Sequence, residues 1–280
     1  EIMTAVEDGS RWGVEVTYIP QEAPLGLAHC VLIARDFLGD DDFVMYLGDN
    51  LLQQGLVEFV ERFDAVRELE GETAPCAQIL LAHVEDPRQF GAAEIDTNGD
   101  VVQLVEKPAD PPSDLALVGV YLFDARIHDA VRGIEPSARG ELEITDAIQW
   151  LLDQGYRVRK EILQGWWLDT GKKDPLLESN RLLLEGLDAR LDGDIDEAST
   201  IEGRVVIEAG ARIVNSRVRG PAVIGAGTLV ERSYIGPYSS VANDCEIVDS
   251  ELDHSVVLER SRIHGIARIS DSLIGRDVEV

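Results

Sequence analysis

Residues 201–274 carry a period of six. Ile201, Ile207 and Ile213 are six apart; so are Val223, Leu229, Ile235, Val241 and Ile247, and so are Val257, Ile263 and Ile269. The phase jumps by ten between these blocks, and Gly203, Gly210, Gly225, Gly236 and Asn243 stand between the aliphatics. One aliphatic per six residues, with a turn after each, is the requirement of a three-sided parallel coil in which every side supplies one inward residue per turn. The pattern predicts a left-handed β-helix of hexapeptide repeats over 195–280; an antiparallel β-sandwich would meet the spacing only by chance. The closing LIGRDVEV stops inside a repeat, so the coil is expected to be incomplete at that end.

Ahead of an Asp- and Gly-rich boundary at 188–198 the spacing changes. Val14–Ile19, Phe43–Asp49, Cys76–Val84, the ALVGVYLFD segment and the YRVRKEIL segment read as strands. Leu25–Phe37, Leu56–Leu69, Asp146–Gln154 and Asp174–Leu187 read as helices. Thr145 is a candidate N-cap for the third of these. Apolar strands interleaved with helices imply a Rossmann-like α/β fold over 1–190: a mixed, mostly parallel sheet covered by helices on both faces. GAAEID and VVQLVEKP flank an Asn98-Gly99 turn and read as a hairpin. The opening EIMTAVEDGSRWG reads as the end of a helix stopped at Gly9.

The net charge of −28 repels phosphate backbones and anionic lipid, which excludes nucleic acid and membrane surfaces as partners and leaves solubility or a salt-rich proteome as the reading of the acidity. An anionic substrate therefore needs a metal ion or a few local cations. Cys30, Cys76 and Cys245 show no CxxC spacing, as in a reducing cytoplasm. No apolar run approaches 18 residues, and no signal peptide is visible.

Several short motifs can carry chemistry. In LGDN the strand delivers Asp49 to the carboxyl edge of the sheet, where α/β folds bind ligands, although Gly-Asp-Asn also makes turns. In WWLDTGK, Asp169 follows a strand; two carboxylates with substrate phosphates are a usual Mg²⁺ site. In EKP, the neighbours Glu106 and Lys107 would point to opposite sides of a strand. In QEAPLGLA, Gln21 offers an amide that can pair with a base edge, and Gly26 opens a helix whose free N–H groups could meet an anion; a plain βα turn has the same look.

Taken together, QEAPLGLA, LGDN, FGAAEID, EKP, GELEITD and WWLDTG, in this order and spacing, resemble the sugar-1-phosphate nucleotidyltransferase family, above all its long members with a C-terminal β-helix. The resemblance implies that Asp49 and Asp169 bind a catalytic Mg²⁺ and that Lys107 contacts the phosphate of the sugar phosphate. Glu106 would hold sugar hydroxyls, and Gly91 would let backbone approach the sugar. Gln21 and Gly26 would read a pyrimidine, Glu143 and Thr145 would lie near the sugar, and Trp167 would wall the pocket. It implies dTTP and glucose 1-phosphate as substrates, feeding deoxysugar or rhamnose-type sugar nucleotides, in a cytoplasmic homo-oligomer. The family's GxGTRLxP-like loop has no counterpart in the chain, so the first βαβ unit is expected upstream of Glu1 and turnover is expected to depend on it. Two rival readings remain: a UTP-using enzyme that also transfers acetyl groups through His254 or His264, and a sensing subunit without turnover.

Overall fold

The computed structural model describes residues 2–171 and 173–280; Lys172 of the WWLDTGK motif and Glu1 lie outside them. The chain forms two compact units, 1–167 and 168–280. This division and the one expected at 190–195 differ by the helix Lys173–Glu185, which belongs to the second unit.

In chain order the first unit contains α1 (Ile2–Val6), α2 (Leu27–Ile33), α3 (Arg35–Leu38), β1 (Phe43–Tyr46), β2 (Asn50–Leu52), α4 (Val57–Glu70), β3 (Ala77–His83), β4 (Gly91–Ile95), β5 (Val101–Glu106), β6 (Leu115–Phe123), α5 (Ile127–Gly133), α6 (Ile144–Asp153) and β7 (Val158–Ile162). Six strands make one mixed sheet in the order β5-β4-β6-β3-β7, with β1 also on β6. β3 and β7 are parallel, and β6 runs antiparallel to β1, β3 and β4. By direction β1, β3, β4 and β7 therefore agree, and β5 and β6 oppose them. All nine residues of β6 are buried. A continuous apolar run reports that both faces are covered, not which way the neighbours run.

Side-chain alternation along β3 and β6 sorts the core into two layers. Ile79, Leu81, Leu117, Tyr121 and Phe123 pack with Ala28, Ile127, Ala147, Ile148 and Leu151 of α2, α5 and α6. Leu80, Val118, Val120 and Leu122 pack with Phe59 and Phe63 of α4. Burial pushes the Cys76 thiol, in the first layer, up to about 12.

Val14–Ile19 is not a strand. Its β-branched residues suit a pleated surface, but the backbone bonds found there, Val14 N–H to Gly9 and Val16 N–H to Asp8, are local and form no ladder. The expected helix Leu25–Phe37 begins at Leu27 and breaks at Ala34 into α2 and α3.

The second unit opens with the end of β8 (Trp167–Asp169) and continues with α7 (Lys173–Glu185) and a parallel coil whose short strands stack into three sheets of five, five and six. Ile213, Val218, Ile224, Val230, Ile235, Val241, Ile247, Leu252, Val257 and Ile263 point inward and are at most 2% exposed. The steps between them are five or six residues, and register pairs such as Val218↔Ile235 and Ile235↔Leu252 give a 17-residue coil. The six-residue reading therefore slips by one: Val223 and Leu229, taken as inward, are only half-buried, and Ile224 and Val230 fill the core. The short steps pass through corners held at positive φ by Asn215, Arg232 and Asp249, stacked 17 apart. Arg232 Nε and Nη2 donate to Asp249 at 2.7 and 2.8 Å. A serine column shares that spacing: Ser233 N–H donates to Ser216 Oγ, and Ser250 N–H to Ser233 Oγ, each at 3.0 Å. Helix α7 is tied to the coil through Asn180, which donates to the Tyr238 carbonyl and accepts from Ser240.

The corrected phase has a direct consequence. Ile224→Ala empties the coil axis and should cost about 3 kcal/mol, whereas Val223→Ala should cost under about 1 kcal/mol. Urea unfolding of the two variants checks it; equal losses would restore the strict six-residue phase.

Candidate functional site

β5 ends at Glu106, and its side chain is the hub of the first unit's polar cluster. Glu106 Oε2 accepts from Thr145 Oγ at 2.7 Å, and Oε1 accepts from Arg139 at 3.1 Å. Arg139 also donates to Glu143 at 2.8 Å, and Ser137 Oγ donates to the same Glu143 oxygen at 2.7 Å. Glu143 is only 4% exposed, so its charge needs these partners. The pairing in turn raises the pKa of the Arg139 guanidinium, Glu143 contributing first.

Thr145 does not cap its helix. α6 starts at Ile144 with Glu143 at the N-cap position and no side-chain cap bond, and the Thr145 hydroxyl is spent on Glu106 instead. Nor do Glu106 and Lys107 point apart: Lys107 Nζ lies 3.6 Å from Glu106 Oε1. Alternation holds only inside a strand, and Lys107 has already left β5 with φ 42. A non-glycine residue held there is strained, a condition that concentrates at functional sites. Gly91, paired with Glu106 across the β4–β5 hairpin, completes the arrangement. A Cβ on Gly91 would stand 2.6 Å from Leu117 and 2.8 Å from Thr145 Oγ, so only glycine lets Thr145 reach Glu106.

The cluster is crowded with acid. Burial first, then the charges of Glu143 and Glu106, raises the Asp146 carboxyl above the usual carboxylate range, and burial followed by Glu106 pushes the Tyr121 phenol up. Carboxylates suit hydroxyl donors such as those of a sugar; Lys107 and Arg139 are the cations available to a phosphate.

Two further groups of expected site residues attach to this hub. Gly26 and Gln21 join through Leu142, the neighbour of Glu143: Leu142 N–H donates to the Leu25 carbonyl, and Ala28 N–H donates to Leu142. That bond occupies one of the first N–H groups of α2, so this group is not free for an anion. Gln21 Nε2 is held by the Gly26 carbonyl at 3.1 Å and lies 3.0 Å from His29 Nδ1. On the other side, the Trp167 ring lies 5.1 Å from that of Phe90, next to Gly91, and its Nε1 donates to Asn50 Oδ1 at 2.6 Å. Asn50 Nδ2 donates to Asp49 Oδ1 at 2.9 Å, and the Gly119 N–H donates to Asn50 Oδ1. Asp169 belongs to the second unit, where it is exposed and accepts from the Gly171 N–H at 3.0 Å.

Sequence reasoning missed Arg139, Phe90, the role of Asn50, and Gly119, where a Cβ would stand 2.7 Å from the Asn50 amide. Gly119 left a signal, as the lone glycine of a nine-residue buried strand. Arg139 left one too, as the one cation between Glu135 and Glu143.

Arg139→Ala should lower stability by about 2 kcal/mol, by stranding Glu143 among buried neighbours; the half-open guanidinium keeps the loss below that of a fully buried pair. Arg139→Lys should recover part of it, since a lysine cannot fork between two carboxylates. Thermal melts of both variants check this; an unchanged Arg139→Ala midpoint would show that the pair contributes nothing.

The model of the nucleotidyl transferase family matches residues 1–186. A glucose-1-phosphate thymidylyltransferase of Streptomyces griseus is 57% identical over all of this chain and 77% of its own. A low-salt glycan biosynthesis nucleotidyltransferase of Haloferax volcanii is 45% identical, with the same coverage. Among solved structures, one described as a Bacillus anthracis glucose-1-phosphate thymidylyltransferase in complex with sucrose superposes with a TM-score of 0.57 at 34% identity, covering 65% of this chain and 70% of that one.

Proposed function

The chain belongs to the nucleotidyl transferase family, and on that premise we propose that it transfers a thymidylyl group from dTTP to glucose 1-phosphate, giving dTDP-glucose and pyrophosphate. A phosphate oxygen of the sugar phosphate attacks the α-phosphorus of dTTP; that P–O bond forms as the bond to the β-phosphate breaks. The attacking phosphate has a second pKa of about 6, so it is ionised near neutrality and needs no general base. The protein's task is to position two anions and offset their charge.

The observation that carries this reading is the convergence of Gly91, Lys107, Arg139 and Thr145 on the Glu106 carboxylate, with Glu143 joined to it through Arg139. Glu106 holds sugar hydroxyls, Glu143 and Thr145 lie near the sugar, Lys107 holds the sugar's phosphate, and Trp167 walls the seat. Gln21 and Gly26 face the pyrimidine. Mg²⁺ is assigned to Asp49 in the first unit and to Asp169 in the second as ligands. Among the described residues no three or more His, Cys, Asp or Glu come together to hold a metal. Carboxylate oxygens are hard donors of the kind Mg²⁺ takes, and this ion completes its shell with water and phosphate oxygens when the protein supplies few ligands. Bound there, it would offset charge on the transferring phosphoryl group. No described helix is long and apolar enough to cross a membrane, and the three cysteines are free; we place the protein in the cytoplasm as a homo-oligomer.

The test is a substrate panel with the full-length gene product. Formation of dTDP-glucose from dTTP, with kcat/KM at least about tenfold above that with UTP, a difference of roughly 1.4 kcal/mol, supports the reading. A preference for UTP, or acetyl-CoA consumption, supports the rival enzyme, and no nucleotide sugar from any pair defeats both.

A further inference from the structure

We propose that the concavity at the closed end of the β4–β5 hairpin is a second anion site, one that takes a phosphate-bearing small molecule. It encloses about 400 Å³, and Gly99, Asp100, Tyr156, Arg157, Arg159 and Lys160 are among its walls. That volume lies within the roughly 300–1,000 Å³ of small-molecule pockets.

Charge is the first argument. The chain carries 53 acids against 25 lysines and arginines, and only four of those are lysines. Three cations nevertheless fall within four consecutive residues, 157–160, at the start of β7 and line one cavity, with Asp100 the single acid in the wall. Lys160 is partly buried and has no acid within ion-pairing distance among the described residues. A Cβ on Gly99 would stand 3.6 Å from its Nζ, which places the ammonium under the hairpin turn. Arg159 donates to the Arg62 carbonyl at 3.2 Å, and its nearest acid oxygen, on Glu161, is 3.8 Å away. Arg157 is engaged by Glu70 and by the Thr73 carbonyl.

The backbone is the second. β7 pairs with β3 alone among the described strands and is a sheet edge, and its residues Val158, Arg159 and Lys160 line the cavity. Sheet edges of this kind form anion-binding concavities. Tyr156 adds an aromatic wall, backed by the Arg126 guanidinium at 5.2 Å from the ring. Arg126 is itself committed to Asp124. A phosphate on Lys160 with a flat ring against Tyr156 describes a mononucleotide; a phosphate alone describes pyrophosphate. The site is separate from the Glu106 cluster: the hairpin pairs Gly91 with Glu106 at its open end and Ile95 with Val101 at its closed end, about 13 Å along the strands. The inference does not rest on the reaction proposed above.

The test uses the lysines themselves. In the full-length protein, amine acetylation by an activated ester, read residue by residue by mass spectrometry, is followed with thymidine monophosphate, with inorganic pyrophosphate and with sodium chloride of matched ionic strength. At about 10 mM ligand, tenfold over a Kd of about 1 mM, Lys160 labelling should slow about tenfold. Slowing by the nucleotide alone shows that the ring is read; slowing by both anions shows that phosphate suffices. A Lys160 rate that no ligand slows beyond the chloride control overturns the proposal and leaves a lysine whose stem covers apolar surface. Lys160→Gln should abolish a calorimetric binding event for the same ligands; an unchanged stoichiometry contradicts it as well.

Discussion

Asp49→Asn should lower turnover by about three orders of magnitude and leave the fold intact, and Asp169→Asn should do the same. The proposed reaction brings together two polyanions in a protein whose own charge is −28, so removal of a carboxylate assigned to the neutralising ion should be felt in the transition state more than in the ground state. Asparagine keeps the shape of either side chain but not the charge. Asp49 sits on the surface after β1, with its Oδ1 accepting from Asn50, and Asp169 is exposed and accepts from the Gly171 N–H, so neither change opens a cavity. Steady-state rates across a Mg²⁺ titration, with melting curves as the control, decide the matter. Rates that recover fully at saturating Mg²⁺ would mean weakened affinity for an ion these residues merely help to recruit; unchanged rates at every concentration would remove them from the chemistry.

Gly26→Ala is expected to be the most damaging conservative change in the first unit, at about 3 kcal/mol or more of stability. Gly26 has φ 97 and ψ 171, a region open essentially to glycine alone. A Cβ there would stand 2.3 Å from the carbonyl oxygen of Leu142 and 2.7 Å from its nitrogen. Both are backbone atoms already engaged, with Ala28 and Leu25, so relief would break two hydrogen bonds. The displacement would also reach Glu143, one residue on, and with it the Arg139 pair. Gly55→Ala is the control, since its φ is ordinary and its Cβ would meet nothing within 4 Å. Chemical denaturation should separate the two by at least 2 kcal/mol (roughly); indistinguishable midpoints would show that the segment before Glu143 moves freely.

How far the sequence could be read depended on the kind of signal. The coil was legible because its core is one aliphatic per side, a pattern with no competitor among helices and sandwiches. Its phase was legible less well, because five-residue steps at corners such as Asn215 and Arg232 look like noise in a period of six. The first unit's strands were legible from apolar runs, but the direction of β6 was not, since burial on both faces is blind to polarity. At the site, motif residues such as Glu106, Thr145 and Gly91 were legible one by one. Their mutual contacts were not: Lys107 turns back on Glu106 through a positive φ, and Thr145 spends its hydroxyl on a carboxylate 39 positions away instead of on its own helix. Arg139 escaped because a lone arginine between glutamates reads as an ordinary surface residue until Glu143 is seen to be buried.

Whether the Glu106 hub seats the sugar phosphate is decided by a calorimetric titration of glucose 1-phosphate onto the full-length protein. Glu106→Gln should weaken binding by about tenfold or more, the equivalent of about 1.4 kcal/mol or above, and Lys107→Ala should weaken it at least as far. Affinities for both variants equal to that of the unaltered protein would contradict it.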